Sequence, residues 1–141
     1  MQKGVTFDNK HTYFDWGLLT KSTPIVSPPV PKEKLVEVPG SDAVIDLTAM
    51  TGQVHYKQRQ IACNFVLMGD PENQNKVYTD ILNHLQGKRM NIILDSDPEY
   101  IYTGRAKITG WEPGQFAASL AITATVDPYK TARYIKGKKV L

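Results

Sequence analysis

The sequence predicts a mainly β, α+β fold, in which an antiparallel β-sandwich or barrel carries one flanking α-helix. Short stretches with apolar residues at alternate positions run along most of the chain, whereas one stretch, at about residues 72–86, has helical spacing. Nine prolines and ten glycines are spread along the chain, which predicts many turns and few long helices. The order of strands, one helix and more strands is typical of an antiparallel sheet with a helix packed on it.

The first elements are predicted to be short and extended. Strands are expected at residues 5–8 and in the aromatic stretch 11–19. Residues 23–31 hold four prolines, which exclude a helix or a central strand and favour an extended linker or an edge segment. Two more strands are expected at residues 33–38 and 43–48, and the Pro39–Gly40 pair predicts a turn between them.

One long strand is predicted over residues 54–68, and its apolar side chains change faces near Gln60. Before this point Val54 and Tyr56 share one parity, and after it Ile61 and Phe65 lie on the other. Because side chains alternate between the two faces of a strand, such a slip indicates a bulge, or a first half that leaves the core and meets something else.

The helix has recognisable ends and an apolar stripe. The stripe consists of residues at helical spacing, namely Val77, Ile81, Leu82 and Leu85. Asp70 is a plausible N-cap with Pro71 at the first helical position, and Gly87 lies where a C-terminal cap belongs. Further strands are expected at residues 90–95, 99–109 and 115–126, with turns at 96–98 and 111–114 and with Pro98 interrupting the strand.

The charge distribution divides the chain into a domain at residues 1–129 and a basic tail at residues 130–141. All fourteen acidic residues lie at or before Asp127 together with twelve basic ones, and the tail holds the remaining five basic residues and no acid. We favour a solvated terminus or a contact with a neighbour for this tail, because five charges bind phosphate only weakly at physiological salt. No apolar run approaches the roughly 20 residues of a membrane span, and no secretory signal is visible, so we expect a protein made in the cytoplasm without a membrane partner.

The sequence lacks recognisable catalytic and metal-binding patterns, so we expect a protein that is not an enzyme and has no cofactor. His11, His55 and His84 are not placed at metal-ligand spacing, and Cys63 lies in an apolar run, as expected for a small buried hydrophobe. The alternating carboxylates Asp95, Asp97 and Glu99 leave open a hydrolase acting on cell-wall sugar, although a polar turn is the favoured interpretation.

A nucleic-acid-binding module is the other alternative from a different class. It would use the basic tail and the aromatic pair Tyr100 and Tyr102 beside Arg105 and Lys107 to stack on bases. We favour cross-strand packing for these tyrosines.

A set of short motifs resembles, in order, the N-terminal half of the distal tail proteins of long-tailed phages and prophages of Gram-positive bacteria. The motifs lie at residues 4–12, 16–18, 38–42, 45–48, 59–65, 85–87, 95–98, 100–102, 104–105 and 127–129. Many members of that family have a second, carbohydrate-module-like domain after this point, so we expect either a short member or a piece of a longer protein.

The resemblance implies a β-sandwich with a flanking helix, related to the tail-tube fold, and a virion structural protein of the tail. It implies a homo-oligomeric ring of six copies, which joins the tail-tube protein to the tail-tip protein and serves as the hub of the adsorption apparatus. Nucleic acid is expected only as DNA passing through the ring. A tail-tube or tail-completion protein is the structural alternative.

A ring requires two different adhesive surfaces on each subunit. We expect these surfaces to include the proline-rich segment and the first half of the long strand. The candidate inter-subunit contacts are Pro24, Pro28, Pro29, Val54, Tyr56 and Gln58.

Overall fold

The computed structural model describes residues 4–48, 53–135 and 137–141. Within these residues the chain forms twelve strands and one helix. In chain order they are β1 (Val5–Phe7), β2 (Lys10–His11), β3 (Leu18–Thr20), β4 (Ile25–Val26), β5 (Leu35–Glu37), β6 (Val44–Asp46), β7 (Arg59–Met68), α1 (Pro71–Leu85), β8 (Arg89–Leu94), β9 (Asp97–Glu112), β10 (Ala117–Val126), β11 (Lys130–Ala132) and β12 (Lys139–Val140).

Ten of these strands form one antiparallel sheet. Its main order is β2-β1-β8-β9-β10-β7-β3, with β4 beside β3 on the same edge of β7 and with β11 and β12 attached to β9. The sheet curls into a half-barrel, so the predicted β-rich fold with a single helix is confirmed. Strands β5 and β6 form a separate two-stranded sheet.

The core forms because buried and solvent-facing side chains alternate strictly along β7 and β10. In β7 the residues from Arg59 to Leu67 alternate between buried and solvent-facing, and in β10 every second residue from Ala118 to Val126 is buried. These side chains pack with those of β1, β8 and β9, and with Ile81 and Leu85 of α1, which have no exposed surface. Burial of this apolar face is the main favourable contribution to folding.

The helix begins and ends as the sequence predicts. Asp70 accepts a hydrogen bond from the Asn73 backbone N–H at 2.9 Å, and Pro71 occupies the first turn, where its missing N–H has no intrahelical partner. Gly87 follows the helix with a φ of +73°, a conformation that glycine adopts without steric cost.

The long strand predicted over residues 54–68 is shorter in the structure and begins at Arg59. Residues 54–58 instead run beside residues 30–32, through the hydrogen bonds from Lys32 N–H to His55 O (2.7 Å) and from Lys57 N–H to Val30 O (2.8 Å). The slip in the apolar pattern at Gln60 therefore marks the place where the chain leaves the core.

The strand β9 is longer than predicted at both ends, so two turn predictions were wrong in their bounds. Pro98 does not interrupt the strand, because it is the second residue of β9, and a proline is tolerated where a strand begins. Trp111 belongs to β9 and stacks on Tyr78 of the helix, with ring centroids 4.4 Å apart. A register shift between Ala121 and Ile122 marks a bulge that lets β9 continue along β10.

Candidate interaction surface

A projecting arm is the feature of the fold that the core does not explain. We define the arm as residues 30–48 together with residues 53–57. Its base is the antiparallel pairing of residues 30–32 with 55–57, centred on a bridge between Pro31 and Tyr56. The Tyr56 ring meets the Tyr129 ring edge-on at 6.1 Å, and this contact attaches the base to the end of the sheet.

The outer end of the arm is the β5–β6 hairpin. Its register pairs Leu35 with Asp46, Val36 with Ile45, and Glu37 with Val44. Gly40 closes the turn with a φ of +76°, which explains why Pro39–Gly40 is a turn signal. The Asp46 carboxyl accepts hydrogen bonds from the Thr48 side chain and backbone N–H, which lower the pKa of this exposed carboxyl and stabilise the chain just after β6.

Both faces of this hairpin expose aliphatic side chains. Val36 and Ile45 lie opposite each other on one face and are 40% and 49% exposed, whereas Leu35 and Val44 on the other face are 56% and 54% exposed. An isolated two-stranded hairpin is at best marginally stable in water. A protruding element with apolar side chains on both faces therefore has the character of a surface that another molecule covers.

Of the predicted contact residues, Val54 and Tyr56 lie in the arm. Pro28, Pro29 and Gln58 flank its base, and Pro24 directly precedes β4. Pro24 and Pro29 are half-buried and Pro28 is exposed, on the path that leads into the arm. On the return path Val54 and Tyr56 are half-buried and Gln58 is exposed. The structure brings the two predicted segments together, because residues 30–32 pair with residues 55–57. Their role between subunits stays a prediction.

Sequence reasoning missed the four apolar residues at the outer end of the arm. It treated both segments only as strands. A signal was present, because Leu35–Val36 and Val44–Ile45 are adjacent apolar pairs, and adjacent residues of a strand point to opposite faces. A strand with one buried face would carry apolar residues on one parity only.

The residues considered for catalysis have structural partners. Asp95 accepts hydrogen bonds from the His11 Nε2 (2.7 Å) and from the Gly4 backbone N–H (2.9 Å), whereas Asp97 binds the Lys130 ammonium at 2.7 Å. The carboxylates of Asp95 and Asp97 are thus held in separate interactions. Across residues 4–48, 53–135 and 137–141, no group of three or more potential ligands is placed to hold a metal ion.

His84 and Cys63 also have the structural environments that the sequence predicts. The His84 Nε2 lies 2.8 Å from the Phe7 carbonyl oxygen, and the ring packs edge-on against Trp16. Cys63 is only 3% exposed, and burial raises the pKa of its thiol to about 12. Such a thiol is almost entirely protonated at neutral pH and is a poor nucleophile.

The aromatic pair of the nucleic-acid alternative does not form a stacking platform. Tyr102 is 3% exposed, and the Lys130 ammonium lies 4.5 Å from the Tyr100 ring centroid. Burial lowers the pKa of Lys130, but the hydrogen bond to Asp97 and nearby charges outweigh it, so the pKa is raised. The predicted basic tail is partly structured, because β11 pairs with β9 and β12 pairs with β11. None of the described helices has the length and apolarity needed to cross a membrane.

Comparison with known proteins identifies the fold. No protein-family model matches the chain, and no curated protein matches it. Among solved structures, the chain is similar to the SPP1 Dit protein, described as a paradigm of the hub adsorption apparatus in phages that infect Gram-positive bacteria, with a TM-score of 0.68 and 15% identity over 94% of this chain. The likeness shows the fold.

The matched region is 52% of the SPP1 Dit protein, so the chain spans about half of that protein's length. A chain of a native gene transfer agent particle matches 93% of this chain and 96% of its own length at 15% identity, with a TM-score of 0.47, which is too low to support a conclusion.

Proposed function

We propose that the chain is a structural subunit of a bacteriophage or prophage tail, and that six copies form a ring hub between the tail tube and the tail-tip apparatus. In this proposal the protein has no catalytic role. It is made in the cytoplasm of the host bacterium and acts in the virion tail. DNA passes through the ring without being recognised.

The fold provides the first support. Nearly the whole chain matches part of a protein described as belonging to a hub adsorption apparatus. The motifs that resemble distal tail proteins are spread over the same region of the chain. These likenesses support a structural role in the tail, and the arm supports assembly into a ring.

The exposed arm is the observation that carries the proposal. Val36, Ile45, Leu35 and Val44 remain about half exposed on an element that extends from the sheet. Head-to-tail rings need one surface that reaches out and a different one that receives it. The arm meets the first requirement, since its backbone is paired and its apolar side chains lack a covering layer.

The experiment is co-assembly with the tail proteins encoded beside this chain. The purified chain is mixed with the tube protein and the tip protein from the same genome and examined by sizing chromatography and negative-stain microscopy. We expect sixfold rings that bind both partners. Binding of neither partner, together with the absence of a ring in all mixtures, would refute the proposal. Stacking of the rings into long tubes would instead support the tail-tube alternative.

A further inference from the structure

The outer part of the arm is acidic as well as apolar. Residues 33–48 contain one lysine and four acids, namely Glu33, Glu37, Asp42 and Asp46. All four acids are exposed. The ion pairs His11–Asp95, Arg89–Asp127 and Lys130–Asp97 all lie outside residues 33–48.

The C-terminal hairpin has the opposite charge. We use this name for residues 130–141, which hold five basic residues and no acid. Lys130 is bound to Asp97, and Arg133 donates to the Pro98 carbonyl oxygen at 3.0 Å. Lys138 and Lys139 are exposed, and Tyr134 and Ile135 between them and β11 are 76% and 57% exposed. The hairpin is thus a basic surface with exposed apolar side chains.

The two surfaces are complementary, yet they do not cover each other within one copy. The base of the arm contacts the residue that directly precedes the C-terminal hairpin, through the rings of Tyr56 and Tyr129. Beyond that contact, the described residues show no strand pairing, hydrogen bond or ion pair that joins the outer arm to the C-terminal hairpin. The apolar side chains of both surfaces stay exposed in the isolated chain.

We propose that the outer arm of one copy docks on the C-terminal hairpin of the next copy. The inference rests on the proposed ring and names the two surfaces that meet in it. Opposite charge fixes which surface pairs with which, because arm against arm and hairpin against hairpin would place like charges together. The apolar side chains supply the area that is removed from water.

Two sets of charge reversals test the contact. The arm set is Glu37→Lys with Asp42→Lys, and the hairpin set is Lys138→Glu with Lys139→Glu. All four side chains are exposed, so each variant should fold, which circular dichroism and thermal unfolding check. Either set alone should raise the concentration needed for assembly about tenfold or more, since a surface pair contributes about 0.2–1 kcal/mol and reversal converts attraction into repulsion.

Recovery is the decisive control. The chain with both sets should assemble again. An equal mixture of the two single-set chains should also assemble, with arm-set and hairpin-set copies alternating around a ring of even number. Normal assembly of each single set, or a mixture that stays dissociated, would overturn the contact. A ring that forms normally with either set keeps the proposed function while removing this inference.

Chemical cross-linking is a second measurement. It detects weak association between copies, so the test does not depend on a stable ring. Equal amounts of ¹⁴N- and ¹⁵N-labelled chains are mixed and treated with a carbodiimide. The reagent joins a lysine amine to a carboxylate in direct contact as an amide, and it takes up the water that is lost and becomes a urea. Mixed-isotope peptides linking residues 33–48 to residues 130–141 are expected. Their absence at the highest soluble concentration would overturn the proposal.

Discussion

Replacing Val36 and Ile45 by threonine should dissociate the proposed ring into subunits that remain folded. The two side chains lie opposite each other on one face of the β5–β6 hairpin. Threonine is also β-branched, so it keeps the strand preference of the residues it replaces. The substitutions therefore remove apolar contact without unfolding the hairpin.

The expected loss follows from the exposed area. Val36 and Ile45 are 40% and 49% exposed, and threonine loses one apolar carbon at the first site and two at the second. At about 0.8 kcal/mol per buried group, the lost cover of the exposed parts amounts to about 1 kcal/mol for the pair. An unbonded hydroxyl in the contact costs about 1 kcal/mol more per site. The pair should weaken one contact by about 3 kcal/mol, or about a hundredfold in the dissociation constant.

Light scattering behind a sizing column, over a wide concentration range, measures the effect. Met68→Thr is the matched control, because Met68 is 55% exposed at the end of β7 remote from the arm. The control should assemble as the original chain does. The reasoning is refuted if the double variant assembles at the same concentration as the control while its thermal unfolding is unchanged.

Three further predictions concern the subunit itself. Cys63 should resist a disulfide reagent at pH 8 in the folded chain and react after denaturation, because burial raises the pKa of the thiol to about 12; rapid labelling of the folded chain would contradict this. Arg59→Ala should lower the free energy of unfolding by about 2–3 kcal/mol in urea, because Arg59 is buried and donates to the carbonyl oxygens of Ser27 and Pro128; the exposed Arg89→Ala control should cost less than about 1 kcal/mol, and equal losses would refute the argument. Gln74→Leu should cost about 2–3 kcal/mol, because the buried amide bonds the Gly69 and Gly114 backbones, whereas the exposed Asn75→Leu should change stability by less than about 0.5 kcal/mol; equal urea midpoints would count against it.

Features with local causes could be predicted from the sequence. The helix follows from the Asp70 cap, Pro71 and the spacing of Val77, Ile81 and Leu85, which are all signals within one stretch of chain. The strands β7 and β10 follow from alternation, since one of their faces is buried. Turn positions such as Pro39–Gly40 also depend on residues next to each other in sequence.

Features that depend on distant partners could not be predicted. Gln74 can be buried because its amide is bonded to the backbone of Gly114, forty residues away. The Gln74 Nε2 donates to the Gly114 carbonyl oxygen, and the Gly114 N–H donates to the Gln74 Oε1. The same holds for Arg59, whose guanidinium is bonded by backbone carbonyl oxygens of two separate segments. No periodic pattern reports such pairings, because they are set by the arrangement of the sheet.

The arm is an intermediate case. The slip at Gln60 indicates that the chain leaves the core, and the structure shows this departure at Arg59. The residues chosen as contacts lie in or near the arm base, whereas the most exposed apolar side chains of the arm, Leu35 and Val44, lie at its outer end. The distinction required knowing that β5 and β6 pair only with each other.

The solution mass of the chain, measured by light scattering over a wide concentration range, tests the central claim most directly. The account predicts a species near six times the 15.8 kDa chain mass, with a closed ring in negative-stain images. A monomer at every concentration that also forms no ring with the tube and tip proteins would contradict it.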